Sequence, residues 1–152
     1  MRLSTAGLQL IKRSEGYRRH EYRDCVGLRT IGYGHRLLSA ESFPSGLDEA
    51  HAEAILATDI DRAEQAVLRL VAVELSQGQF DALVDFVFNL GVGRLSTSTL
   101  LRDLNAGRLD EAAEQLLLWD HCGAKENAAL RNRRAAEFQL WAPSDIDKQA
   151  AA

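Results

Sequence analysis

Apolar residues recur at helical spacing over most of the chain and at strand-like spacing in one short stretch. Near the start, Leu8, Leu10 and Ile11 form a partial apolar face behind Ser4 and Thr5, either of which can accept the free amides of a first turn. Gly16 supplies the positive backbone angle that ends a helix, so Glu15 is expected in the last turn. From Tyr17 to His35 the pattern changes. Tyr17, Tyr22, Val26, Leu28, Ile31 and Tyr33 suit strands, while Gly27, Gly32 and Gly34 punctuate them. Asp24-Cys25-Val26-Gly27 reads as the turn of a hairpin, in what is expected to be the chain's only β region. A loop holding Pro44 and Gly46 follows.

Beyond that loop the three-four spacing of Ala52, Ile55, Leu56, Ile60, Ala63, Val67 and Leu70 predicts a long helix over 48–72. Ser76 and Gln79 have the form of a capping box, opening a helix through Phe80, Leu83, Val84, Val87 and Phe88 whose apolar face nearly encircles it. That helix is expected at the centre of the core, closed by Gly91 and Gly93. Shorter helices are expected over about 96–106, 110–119 and 127–141, before Pro143. Strands and helices are segregated, which predicts an α+β fold. The expectation is a single domain over 1–143, with a small β lobe at about 14–47 and a helical lobe at about 72–143 that also takes the first helix. The long helix joins the lobes across a cleft, and 144–152 form a polar tail.

Composition narrows the classes. With 18 Lys plus Arg against 22 Asp plus Glu, the net charge of −4 argues against a dedicated nucleic-acid binder. No stretch approaches the apolar length of a membrane span, and the first ten residues lack the apolar run of a signal peptide, so a soluble chain made in the cytoplasm is expected. Cys25 and Cys122 fit free thiols in a reducing compartment, with a single bridge as the alternative. The four histidines show no zinc-protease spacing, and no phosphate-binding or dinucleotide glycine motif occurs. Neither a metal nor a cofactor is expected.

What remains is Glu15, Asp24 and Thr30. Two acids among 22 mean little alone, but their setting is particular. Glu15 stands at a helix C-terminus, where the dipole disfavours an ionised acid. Asp24 sits in the hairpin turn, and Thr30 on the returning strand. Two carboxyl groups on rigid elements beside a cleft suit glycosidic cleavage, one donating a proton and one remaining charged.

The segments Ile11 to Gly16, Tyr22 to Gly27 and Thr30 to His35 carry a Glu, eight residues, an acid, five residues and a Thr. This resembles the phage-type lysozymes, glycoside hydrolase family 24. The likeness continues through 79–83, 88–93, 98–101, Trp119, Leu130, Arg133, Arg134 and Glu137, covering about residues 3 to 142. It implies a lysozyme-like fold and a muramidase acting on the β-1,4 bond after N-acetylmuramic acid in bacterial peptidoglycan. Glu15 is then the general acid, with Asp24 and Thr30 stabilising the developing sugar cation and placing water. Tyr33 and His35 shape the cleft floor, Phe88 lines the opposing lobe and Thr99 touches glycan. The likeness favours inversion at the anomeric carbon.

Only fourteen residues precede Glu15, so the membrane-arrest segment of some relatives is not expected; a monomer reaching the wall through a separate holin-type pore is. Ala128-Ala129 stands where many relatives have Pro-Gly, which puts the start of the last helix in question. Lys125, Arg131, Arg133 and Arg134 are expected to offer a positive face to the anionic wall. Two other classes compete: a glycan-binding module that has lost catalysis, and a lytic transglycosylase, whose product is an anhydro-sugar and which needs no water-placing Thr30.

Overall fold

A computed structural model describes residues 1–142; the expected tail at 144–152 lies outside the described residues. Helix α1 spans Thr5–Glu15, with the Ser4 hydroxyl accepting from the Gly7 amide and Gly16 at φ 65° closing it. Three short antiparallel strands follow, β1 (Arg18–Arg23), β2 (Arg29–Gly32) and β3 (His35–Arg36), in the order β1-β2-β3. The Asp24 turn is where the glycines and the short polar side chain place it. Asp24 Oδ1 accepts the amides of Val26 at 3.0 Å and Leu28 at 2.8 Å, and the register sets Tyr22 opposite Thr30.

Helix α2 (Glu49–Leu70) starts at Asp48, whose carboxylate accepts the His51 amide at 2.9 Å. It buries Ala52, Leu56, Ile60, Ala63 and Val67 and leaves Ile55 half-buried. Helix α3 (Gln77–Leu90) opens with the expected Ser76–Gln79 capping box and buries every side chain from Phe80 to Val87, so the nearly encircled face is the centre of the core. Gly78 is required by close packing: a Cβ there would overlap the Leu140 carbonyl of the last helix.

After α3 the expected boundaries shift. Gly91, at φ 88°, ends α3, but Gly93 lies inside a short helix α4 (Val92–Ser96). A Ser98 cap then starts α5 (Thr99–Asn105), so the helix expected from 96 begins at 99, and 92–96 forms a separate short helix before it. Helix α6 covers Leu109–Leu116 and stops short of Trp119. The break turns Trp119 inward, edge-on against Phe86 with ring centres 5.4 Å apart, while Leu117 and Leu118 are exposed. Helix α7 (Ala128–Trp141) begins at Asn127, whose side chain accepts the Leu130 amide at 3.0 Å; Ala128-Ala129 does not disturb it.

Two expectations fail. The β1–β3 sheet is not the only β structure: β4 (His121–Cys122) and β5 (Lys125–Glu126) form a second hairpin around Gly123 at φ 62°. Its residues lack β-branched or aromatic character, so no strand pattern marks it. Nor are the cysteines free. Cys25, at the tip of the first hairpin, is bonded to Cys122, in the second, across a sequence separation of 97.

Candidate active site

The small sheet, the C-terminal end of α1, one face of α2 and the segment from the end of α3 to β4 enclose a cleft of about 1100 Å³. Glu15, Asp24, Thr30, His35 and Phe88 line it. Tyr33 and Thr99 are not in its lining. Tyr33 is buried, and its hydroxyl donates to Glu49 at 2.7 Å, a bond that together with burial raises its pKa; it ties the small sheet to the start of α2. Thr99 is the first residue of α5, directly after the Ser98 cap.

Glu15 stands at the last position of α1 and is held from two sides. Arg133 Nη1 donates to its Oε1 at 2.6 Å. Oε2 lies so close to Gly34 that a Cβ there would overlap it, which is why a glycine with φ 72° follows Tyr33. Arg133 on one side and Gly34 on the other fix the orientation of the carboxyl group at the end of α1. Arg133 commits one oxygen and leaves Oε2, beside Gly34, for chemistry in the cleft.

Arg133 is itself fixed. Its Nε and Nη2 donate to the two oxygens of Asp85, both at 2.8 Å, and the two side chains are 5% and 0% exposed. Burial works to raise the Asp85 pKa, but the Arg133 charge and its hydrogen bonds prevail and hold it below the usual carboxylate range. The same burial pushes the Glu137 pKa well up, against the pull of the Arg134 charge. Arg134, fully buried, sits over the Phe86 ring and donates to Asn89 at 2.8 Å, with Glu137 at 3.0 Å. Arg133 thus joins Asp85 to Glu15, and Arg134 lies beside Glu137 and Asn89.

The positive face expected on the last helix does not exist in that form. Arg133 and Arg134 point into the core, and Arg131 is paired with Asp120 and Glu126. An inward stripe of α7 is charged because α3, the helix it packs on, presents the buried Asp85 and, one turn on, Asn89. That acid, together with Arg133-Arg134 and Glu137 one turn apart, was the available signal.

Asp24 divides its labour. Oδ1 holds the turn, while Oδ2 lies 3.7 Å from Arg36 Nη2. Thr30, only 3% exposed, donates its hydroxyl to the Leu28 carbonyl at 3.0 Å, which leaves the oxygen lone pairs to accept. Tyr22, beside them, has its pKa raised by burial and then by the Glu15 charge. His35 is clamped, Nδ1 to Asp59 at 2.6 Å and Nε2 to Glu41 at 3.1 Å, and its pKa is raised first by the Asp59 bond. Both ring nitrogens are occupied, so it braces the cleft floor. Among the described residues no group of three His, Cys, Asp or Glu could hold a metal ion.

The model of the family described as phage lysozyme matches residues 12–137, which includes Glu15, Asp24, Thr30 and the Arg133–Glu137 cluster. The chain belongs to the phage lysozyme family. Within that family, it is 38% identical over 138 residues to the endolysin of Salmonella phage P22, covering 88% of this chain and 94% of that one. It is 40% identical over 144 residues to the endolysin of Bacillus phage B103, covering 93% of this chain but only 54% of that one, so it spans about half of that relative's length. The muramidase domain of SpmX from Asticaccaulis excentricus superposes with a TM-score of 0.82 at 36% identity, over 94% of this chain and 99% of that one. The α+β fold, a small antiparallel sheet set against a helical lobe, is the lysozyme-like fold of these phage lysozyme relatives.

Proposed function

We propose that this chain is a muramidase that hydrolyses the β-1,4 bond between N-acetylmuramic acid and N-acetylglucosamine in bacterial peptidoglycan. The observation that carries the reading is the convergence of Glu15, Asp24 and Thr30 on one cleft, with Glu15 held by a buried arginine and pressed against a glycine. Membership of the phage lysozyme family, whose relatives include endolysins and a muramidase domain, supports it.

Glu15 is the general acid. Its proton passes from Oε2 to the glycosidic oxygen as the bond to the anomeric carbon breaks. Arg133, bound to the other oxygen, stabilises the carboxylate that is left and keeps the group from rotating away. Asp24 Oδ2 offers negative charge to the oxocarbenium-like sugar and takes the proton that the attacking water gives up as it bonds to the anomeric carbon, while the Thr30 hydroxyl, whose proton is committed to Leu28, accepts a hydrogen bond from that water. His35 and Phe88 bound the cleft, and the chain acts as a monomer that uses no metal or cofactor. It is made in the host cytoplasm and reaches the wall through a separate holin-type pore. The Cys25–Cys122 bond fits action outside a reducing cytosol.

The test is clearing of purified peptidoglycan by wild type and by Glu15→Gln, with products weighed. Loss of clearing in a folded Glu15→Gln protein, and hydrated reducing-end products from wild type, are expected. Anhydro-sugar products would instead assign a lytic transglycosylase, and binding without clearing by both proteins would leave a glycan-binding module.

A further inference from the structure

The disulfide lies at the substrate's entrance. Cys25 directly follows Asp24 at the tip of the β1–β2 hairpin, on the small-lobe rim. Cys122 ends β4 on the helical-lobe rim, three residues after Trp119. Both line the cleft, and their Cα atoms are 6.2 Å apart. Two backbones at that distance are in contact, so nothing as wide as a sugar ring passes between them. The covalent bond is what holds this contact shut: among the described residues, no hydrogen bond or ion pair joins 24–28 to 120–126. On either side of the bond, Val26, Leu28 and Leu118 line the cleft with 56%, 44% and 67% exposure. These are apolar rims of the kind that the faces of sugar rings cover.

We infer that the Cys25–Cys122 bond determines which form of glycan reaches Glu15 and Asp24. With the bond intact, the cleft is strapped and takes chain ends and short fragments. With the bond reduced, the rims part and the interior of a long strand can be laid into the groove from the side. The reductant is a small dithiol. Its thiolate attacks one sulfur, its second thiol resolves the mixed disulfide, and it leaves as a cyclic disulfide. Two electrons and two protons pass to Cys25 and Cys122. This rests on the muramidase reading, and the substrates below separate the failure of one from the failure of the other.

The experiment compares oxidised wild type, dithiothreitol-reduced wild type and Cys122→Ser, with thiols counted in each. Each is assayed on intact peptidoglycan sacculi, which are long strands with few ends, and on short soluble glycan fragments. Oxidised wild type is expected to clear sacculi about tenfold or more slowly than the reduced protein, with fragment cleavage alike in both. Cys122→Ser should match the reduced protein with or without dithiothreitol. Equal sacculus rates for oxidised wild type and Cys122→Ser would overturn the inference. So would loss of both activities on reduction, which would make the bond a structural staple only. Failure of every form to cleave fragments would remove the muramidase reading and this inference with it.

Discussion

Asp85→Asn tests whether the buried charge cluster holds the site together. In the native protein, Arg133 places two N–H groups on Asp85, each at 2.8 Å, with almost no exposure of either side chain. Asparagine keeps the shape but loses the charge, and it sets an amide N–H against a guanidinium N–H. Arg133 is then left with Glu15 as its one charged partner. Removing one member of a buried pair typically costs about 3–5 kcal/mol. Glu137 softens this, because the neighbouring Asp85 charge is one cause of its raised pKa, after burial, and the substitution removes that repulsion beside Arg134. The expected loss is therefore at the lower end, about 3 kcal/mol. For a chain of this size, that lowers Tm by about 6–12 °C.

The assay is thermal and urea unfolding at neutral pH of wild type, Asp85→Asn, Arg133→Met and the double variant Asp85→Leu/Arg133→Met. The double variant removes both charges; Glu15, whose side chain is 15% exposed, keeps access to water in the cleft, and Glu137 keeps Arg134 beside it. It should therefore lose clearly less than the two single changes summed, a coupling of at least about 1 kcal/mol. An Asp85→Asn protein within about 1 kcal/mol of wild type, or strict additivity in the double variant, would refute the reasoning. Clearing activity of folded Asp85→Asn should also fall, because an Arg133 freed from its fork no longer fixes Glu15.

Two further outcomes follow from the same geometry. Gly34→Ala is expected to lose most activity and about 1–2 kcal/mol of stability, since φ 72° disfavours alanine and its Cβ displaces Glu15 Oε2; unchanged clearing would contradict the placement of that oxygen. His35 has a folded pKa raised by Asp59 and Glu41, so its stabilising contribution is full below its unfolded value of about 6.5 and is lost as pH rises through the higher folded value. Urea melts across that window should show wild type losing stability relative to Asp59→Asn as pH rises, and a difference that grows with pH would count against it.

Local chemistry was legible in the chain. The end of α1 at Glu15 follows from Gly16, the Asp24 turn from an Asp and a Gly three residues apart, and α2 and α3 from apolar spacing and two caps. Each depends on residues within a turn or two, which is the range over which backbone angles and hydrogen bonds are decided. The spacing of Glu15, Asp24 and Thr30 was legible for the same reason: α1 and one hairpin carry all three.

Tertiary structure alone decided the rest. Arg133 reads as a surface cation because arginine normally stays in water. It is inside because Asp85, 48 residues away, and Glu15, 118 residues away, meet it there. The family likeness assigns Tyr33 to the cleft floor, yet its buried hydroxyl donates to Glu49 on α2 and it is absent from the cleft lining. The β4–β5 hairpin has no strand propensity of its own, and Cys122 in it is tied to Cys25 across the cleft. Nearest neighbours set the elements of this protein. The charges that hold its acid and the bond that straps its cleft depend on partners that only packing brings together, where burial makes an unpaired charge too costly to leave alone.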